Sequence, residues 1–544
     1  MCGIWMYLYG RGPQPPADAV KAAMKALEAR GPEHTALADL SGVLLGFTRL
    51  AINGLTPLGH QPFRQGRNSL VCNGEIYNYK ALAERHGIDV PEGTSDCFVL
   101  LPLLDRMTPK ELCRTLDGVF AFAHCNEETG EVLVARDPYG VRPLFVATYP
   151  SLGGQAALCV ASELKGLLPG YCAVEAFPPG TYRRYGRDGT LLEDCRYHAI
   201  PHTTMSYFSY PHHWEQAKLA LRDALTAAVR KRVVCDRPIG ALLSGGLDSS
   251  LVAALAAAEL KAAGKEPLHT FSIGMPGSTD LAFAQKVADH IGSVHHSIVK
   301  TRGEFLAAIP TVIRAAETYD ITTVRASVGN YLVGKYIREN TDIKVVLNGD
   351  GSDEVGGGYL YFYAAPSDEA FETETERLLT EIHLYDVLRS DRGMAANGLE
   401  ARTPFLDKSV VATWKSIHSE YRRPRKETAA KKDMIEKRVL REAFEVGHLL
   451  PVEVLYRKKE AFSDGVAAMT EEGPWYQIPD DPAVDLAAYA GLHNPPKTQE
   501  ALRYRRLFVE AYGEAATALI PRMWMPRFVA GATDPSARTL ALYR

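Results

Sequence analysis

The hydrophobic patterning of this chain changes character once, across residues 198–213, and that change limits the fold more than any other feature. Before it, the runs Ser69-Leu70-Val71-Cys72, Gly118-Val119-Phe120-Ala121-Phe122-Ala123, Glu131-Val132-Leu133-Val134-Ala135 and Ala157-Leu158-Cys159-Val160 are set apart by Gly, Pro, Asn and Asp. That is how strands joined by turns read. Helical spacing interrupts them at 18–29 and 96–107, so stacked sheets with helices outside are predicted. After 213 the pattern alternates: helix at 215–232, a buried strand at 239–243, helix at 249–260, strand at 269–273, helix at 280–291. Strands alternating with helices predict a parallel sheet flanked by helices. From 368 the chain reads as mostly helical, and beyond 484 as irregular and Pro-rich. Two α/β domains are therefore expected, 1–197 and 214–544, joined by a polar stretch containing Pro and His.

Other features narrow the function. At 544 residues the chain exceeds what one hydrophobic core supports. A formal net charge of -4 gives no electrostatic case for nucleic acid or a membrane surface as partner. No apolar run approaches the ~18 residues that span a bilayer, and the start Met-Cys-Gly-Ile-Trp has none of the marks of a signal peptide. The nine cysteines are odd in number and contain no C-x-x-C, which points to reduced thiols and a cytoplasmic location.

Cys2 stands directly behind the initiator Met. A small second residue permits removal of Met1, which would leave a free α-amine beside the thiol. Such an amine titrates near ~7.7–8.0 and a thiol near ~8.5, so the amine can serve as base for its own side chain. A cysteine at position 2 is uninformative by itself; the segments that follow decide. They are Arg30-Gly31-Pro32, Arg49-Leu50-Ala51-Ile52, Asn73-Gly74-Glu75-Ile76-Tyr77-Asn78, Leu116-Asp117-Gly118-Val119-Phe120-Ala121 and Arg136-Asp137-Pro138-Tyr139-Gly140-Val141-Arg142-Pro143-Leu144. This series resembles the glutaminase domain of class II glutamine amidotransferases. The resemblance implies that Cys2 attacks the side-chain amide of glutamine, while the Asn73 amide and the Gly74 N–H hold the oxyanion. It also implies that Arg49 clamps the α-carboxylate and that Glu75 and Asp96 take the α-ammonium. Leu50, Ala51, Ile52 and Asn53 would complete the glutamine site.

In the second half, Leu242-Leu243-Ser244-Gly245-Gly246-Leu247-Asp248-Ser249-Ser250 follows a buried strand and opens a helix. Glycines let backbone N–H groups approach phosphate oxygens, and a helix N-terminus favours an anion. A Gly-rich turn capped by Ser is the plainer reading of a bare Ser-Gly-Gly. The full string resembles the PP-loop of ATP pyrophosphatases; it is not a Walker A loop. Further on, Glu317-Thr318-Tyr319-Asp320-Ile321-Thr322-Thr323-Val324-Arg325-Ala326-Ser327 is similar to the aspartate-binding segment of asparagine synthetases. Leu347-Asn348-Gly349-Asp350-Gly351-Ser352-Asp353-Glu354, Arg402-Thr403-Pro404-Phe405-Leu406-Asp407, Arg457-Lys458-Lys459-Glu460-Ala461-Phe462-Ser463-Asp464-Gly465 and the tail Asp534-Pro535-Ser536-Ala537-Arg538 continue the likeness to that family.

The resemblance runs through nearly the whole length, and what it implies is specific. The first domain is expected to be an αββα sandwich of antiparallel sheets, and the second a parallel sheet. ATP would be held by Leu242, Ser244, Gly245, Gly246, Asp248, Ser249, Ile273, Asn348, Gly349 and Lys459, with Lys459 on the leaving pyrophosphate. Mg²⁺ would be held by Asp248 and Asp353, and aspartate by Thr322, Thr323 and Arg325. Asp350 would assist adenylate formation or ammonia attack. The implied reaction makes β-aspartyl-AMP, and ammonia released at Cys2 crosses between domains and displaces AMP, giving asparagine. Glutamine, aspartate and ATP are the expected partners, and a homodimer is left open.

Four positions depart from the family pattern. Asn348 and Asp350 stand where Ser and Glu are usual, Gly356 replaces a larger residue, and Thr403 replaces an apolar one. Two other readings stay open from sequence: an amidotransferase acting on another carboxylate, and a weakly catalytic relative kept as a regulatory binding protein.

Overall fold

A computed structural model describes residues 1–40, 42–152, 155–201, 213–426, 434–467 and 474–536. Most of the stretch read as a linker (202–212) and residues 537–538 of the tail motif lie outside the described residues. The chain forms two compact units. The first is Met1–Ala199 together with two short segments from later in the chain, Cys235–Arg237 and Met394–Glu400.

Two six-stranded sheets build the first unit, and their pairings are antiparallel throughout. Period-2 alternation sorts each strand between two cores. In strand Gly118–Asn126, Ala121, Ala123 and Cys125 face the layer between the sheets, where Ile4, Met6, Phe47 and Val71 meet them. Phe120 and Phe122 point the other way, onto Leu82, Leu100 and Leu112 of the covering helices. Helix Ala17–Leu27 packs against the other sheet, with the Met24 sulfur where a side chain on Gly46 would have to go. The αββα sandwich is the observed architecture.

One expected helix is shorter than its spacing suggested. Residues 96–107 form a 3-10 turn, Asp96–Val99, and then only Leu100–Leu104 as α-helix. Pro102 has no N–H to give and is tolerated only in a helix's first turn, so the α-helix cannot begin earlier.

The second unit holds a five-stranded sheet. Its order is Val294–Val299, His269–Gly274, Ile239–Leu242, Val345–Leu347, Glu400–Arg402, and the first four strands run parallel. From Ile239–Leu242 the chain winds outward one way to 269–274 and 294–299, then returns to place 345–347 on the other side. The crevice at such a switch point, beyond the carboxyl ends of the strands, is where ligands bind in sheets of this kind. The loops that open there are 243–246 and 348–351.

The tail is not uniformly irregular: Gln499–Tyr512 is a helix, capped by the Thr498 side chain and ended at Gly513. It buries Ala501, Leu502, Tyr504, Arg505 and Phe508, an i, i+3, i+4, i+7 face. Among the described residues no helix is long and apolar enough to cross a membrane.

Candidate active sites

In the first unit Cys2 sits just ahead of strand Gly3–Leu8, its thiol 3.5 Å from the Leu50 carbonyl oxygen. Strand Asn68–Ile76 carries Asn73, Gly74 and Glu75 past it. The Cys2 backbone N–H donates to Asn73 Oδ1 at 3.1 Å, which turns the Asn73 amide so that Nδ2 is buried without a partner. An unspent amide donor beside the Cys2 residue is what an oxyanion would require. Only glycine fits at 74, because a Cβ would lie 2.3 Å from the Val119 carbonyl oxygen on the neighbouring strand.

Arg49 ends strand Val43–Arg49, and its guanidinium donates to the Thr56 oxygen at 2.8 Å and to the Gly54 oxygen. Asn53 Nδ2 donates to Glu75 Oε2 at 2.6 Å and reaches Asp96 Oδ1 at 3.4 Å. Asp96 also accepts from the Ile76 N–H at 2.6 Å; burial nevertheless pushes its carboxyl up. Cys2, Arg49, Leu50, Ala51, Ile52, Asn53, Asn73, Gly74, Glu75 and Asp96 line one small cleft together. Every glutamine-site residue expected from sequence is brought to it.

Met1 is present and buried, its α-amine 3.9 Å from Glu400 Oε2 and its sulfur accepting from Arg142 at 2.7 Å. Burial pushes the amine down to about 6 and the Cys2 thiol up to about 11. With Met1 attached, Cys2 is therefore a thiol at neutral pH, with an amide nitrogen where a base is needed.

The cleft of the second unit is far larger, about 1760 Å³ with its open mouth. Helix Leu247–Ala262 points its N-terminus at it, and the loop before the helix is braced internally. Ser249 Oγ lies 3.0 Å from Ser244 Oγ, which accepts from the Gly246 N–H at 3.3 Å. Leu242, Ser244, Gly246, Asp248, Ser249, Ile273, Asn348, Gly349, Asp350, Asp353 and Lys459 all line the cleft.

Two expected site residues do not line the cleft. Gly245 is turned away with φ +70°, and a Cβ on it would meet the backbone of Ala284 at 2.5 Å. Its part is to make the turn, which a left-handed φ demands of a glycine. Thr323 spends its hydroxyl on Asp320 Oδ2 at 2.8 Å, capping helix Ile321–Asn340, and does not reach the cleft. Thr322 does line it, and its buried hydroxyl has no partner. Arg325 lines the cleft too, but its guanidinium pairs with Glu500 at 2.5 Å and Asp534 at 2.7 Å and stacks 3.6 Å above the Tyr476 ring. It shapes that wall with its fork already filled.

Sequence reasoning missed Lys437. Its ammonium bridges the two carboxylates expected to hold the metal, 2.6 Å from Asp248 and 2.5 Å from Asp353. Lys459 takes the other Asp353 oxygen at 2.5 Å. Burial alone would raise the Asp353 carboxyl, yet Lys437 and Lys459 hold it well below the usual range. Both carboxylates thus reach one cation position from the first turns of two different helices. Among the described residues no group of three or more His, Cys, Asp or Glu could hold a metal ion. Two carboxylates completed by phosphate oxygens and water suit Mg²⁺, which is seldom caged by protein alone.

Asp350 pairs with Arg389 at 3.0 Å, and Arg389 pairs with Asp386 at 2.6 Å. Gly356 has a packing cause: a Cβ would lie 2.4 Å from the Trp414 ring. The Thr403 hydroxyl is buried without a partner, and nothing in the structure explains it.

Comparisons with known proteins agree with this geometry. Residues 1–190 match the family model of the glutamine amidotransferase domain, and residues 220–372 and 364–516 match that of asparagine synthase. The chain is 42% identical to the glutamine-hydrolysing asparagine synthetase of Cricetulus griseus over 578 aligned residues, covering 100% of this chain and 99% of that one. The enzymes of Gallus gallus and Homo sapiens are also 42% identical, with the same coverage of both chains.

Proposed function

This chain belongs to the glutamine-hydrolysing asparagine synthetases, and from that premise we propose how its residues divide the work. The enzyme makes asparagine from aspartate with glutamine as nitrogen donor. Once Met1 is removed, the α-amine of Cys2 takes the thiol proton and the sulfur attacks the glutamine amide. Asn73 Nδ2 and the Gly74 N–H meet the oxyanion, ammonia leaves, and water hydrolyses the thioester. Arg49 turns from the Gly54 and Thr56 carbonyls to the substrate α-carboxylate, while Glu75 and Asp96 receive its ammonium.

At the second site the loop 244–249 and the helix N-terminus behind it hold the phosphates of ATP. The aspartate side-chain carboxylate attacks the α-phosphorus, and pyrophosphate leaves toward Lys459 and Lys437. Asp248 and Asp353 would hold Mg²⁺, whose charge offsets that of the departing pyrophosphate. Ammonia then displaces AMP from the β-aspartyl carbonyl. The observation that carries this reading is the gathering of the phosphate loop, both carboxylates and both lysines at the switch point of one parallel sheet. The free thiols, five of them buried, fit a reducing cytoplasm.

The test is aspartate-dependent exchange of pyrophosphate into ATP. Wild-type exchange is expected, and Asp350→Ala should lower it by about 10²-fold, because Arg389 is then left with one carboxylate partner fewer inside the cleft. Asp350→Glu should not raise it, since Arg389 already meets the shorter side chain at 3.0 Å. Unaltered exchange in Asp350→Ala would remove Asp350 from the mechanism.

A further inference from the structure

The roles above leave one part of aspartate unheld: its α-amino-acid head. One wall of the synthetase cleft is suited to it. Asp350, Asp386 and Glu354 line that wall against a single guanidinium, Arg389, which reaches Asp386 at 2.6 Å and Asp350 at 3.0 Å. The Tyr359 hydroxyl stands between the other two acids, donating to Glu354 Oε1 and lying 3.3 Å from Asp386 Oδ2. Asp386 is 6% exposed and Glu354 2%. Lys437 and Lys459 are committed elsewhere, to Asp248 and Asp353. The wall is short of positive charge, and a buried carboxylate gains most from a cation that also donates hydrogen bonds.

A second observation lies beside it. Trp524 is 6% exposed, lines the same cleft, and packs edge-on to Tyr359 with ring centroids 5.3 Å apart. Its backbone N–H is anchored on Asp320 Oδ1 at 2.7 Å, but its indole Nε1 is buried without a partner. The Thr322 hydroxyl, on the same cleft, is in the same condition. Orphaned donors beside a cation-poor acidic wall are the complement of a zwitterion.

We propose that Asp386, Glu354 and Tyr359 receive the α-ammonium of aspartate and that the Trp524 indole N–H donates to its α-carboxylate, making this wall the head-group subsite that selects an α-amino acid. The inference rests on the synthetase reading and adds specificity residues to it. Aspartate supplies the charge the wall lacks, and its carboxylate satisfies a donor that otherwise has no partner. Succinate, the same skeleton without the ammonium, would leave the acids uncompensated.

Pyrophosphate exchange on the full chain tests this, with aspartate and succinate as probes. Trp524→Phe keeps the ring and removes only the N–H; Asp386→Asn keeps the shape and removes the charge. Each should raise the aspartate KM by about tenfold or more while the ATP KM stays within about twofold, which also reports an intact cleft. Asp386→Asn should in addition lower the preference for aspartate over succinate by about tenfold, and Trp524→Phe should leave that preference nearly unchanged, because both probes carry the carboxylate. An aspartate KM within about twofold of wild type in both variants, or an ATP KM rising in step with it, would overturn the subsite. A wild-type chain without aspartate-dependent exchange would instead overturn the synthetase reading.

Discussion

Cys2→Ala is expected to abolish asparagine synthesis from glutamine, by about 10⁴-fold or more, and to leave synthesis from added ammonium salts within about twofold of the native rate. The substitution removes the sulfur that lies 3.5 Å from the Leu50 carbonyl oxygen and leaves the orphaned Asn73 amide with no adduct to hold. Retention of Met1 should act in the same direction on an unmutated chain. Burial holds the thiol near 11 while the amine that could deprotonate it is converted to an amide. Assaying both nitrogen sources, with the N-terminus defined by intact mass, checks the two expectations together. Equal loss of both activities in a folded Cys2→Ala chain would refute the division into two sites.

Lys437→Met should be nearly as severe at the other site, lowering aspartate-dependent exchange by about 10³-fold while glutamine hydrolysis continues. The ammonium lies 2.5–2.6 Å from both Asp248 and Asp353 and is almost completely buried. Its loss would leave the two carboxylates without the ammonium that bridges them as the triphosphate arrives. Breaking a buried pair from one side typically costs ~3–5 kcal/mol, most of it for the charge left behind. Exchange within about threefold of wild type would show that Lys437 fills space without meeting phosphate.

That lysine also shows where the sequence stops being informative. Lys437 follows Lys431 and Lys432 in a basic stretch that reads as solvated surface, and no local spacing marks one of them as buried. Tyr359, Asp386, Arg389 and Trp524 were invisible for the same reason: they meet only because separate elements converge on one cleft. The cleft around Cys2 was legible because strand Asn68–Ile76 carries Asn73, Gly74 and Glu75 consecutively past it. The phosphate loop was legible because a strand, glycines and a helix start lie within ten residues.

Two expected site residues, Thr323 and Gly245, do not line the cleft, for local reasons. Thr323 looked like a substrate ligand, but a threonine three residues after an N-cap Asp readily turns its hydroxyl back to that cap. Gly245 is expected at the phosphate, and its φ of +70° places it in the turn that leads into the helix. The helix Gln499–Tyr512 was overlooked although its capping Thr, apolar stripe and closing Gly are all in the sequence. The two late segments that pack with the first unit, Cys235–Arg237 and Met394–Glu400, carry no periodicity that would have assigned them there.

The central claim is that one chain takes nitrogen from glutamine at Cys2 and delivers it to adenylated aspartate. Incubation of the processed protein with glutamine labelled with ¹⁵N in the side-chain amide, aspartate, ATP and Mg²⁺, followed by mass spectrometry of the amino acids and quantitation of the nucleotides, tests it directly. The account predicts asparagine carrying the label in its side-chain amide, with AMP and pyrophosphate formed one for one with it. Glutamate accumulating without labelled asparagine, or ATP converted to ADP and phosphate, would contradict it.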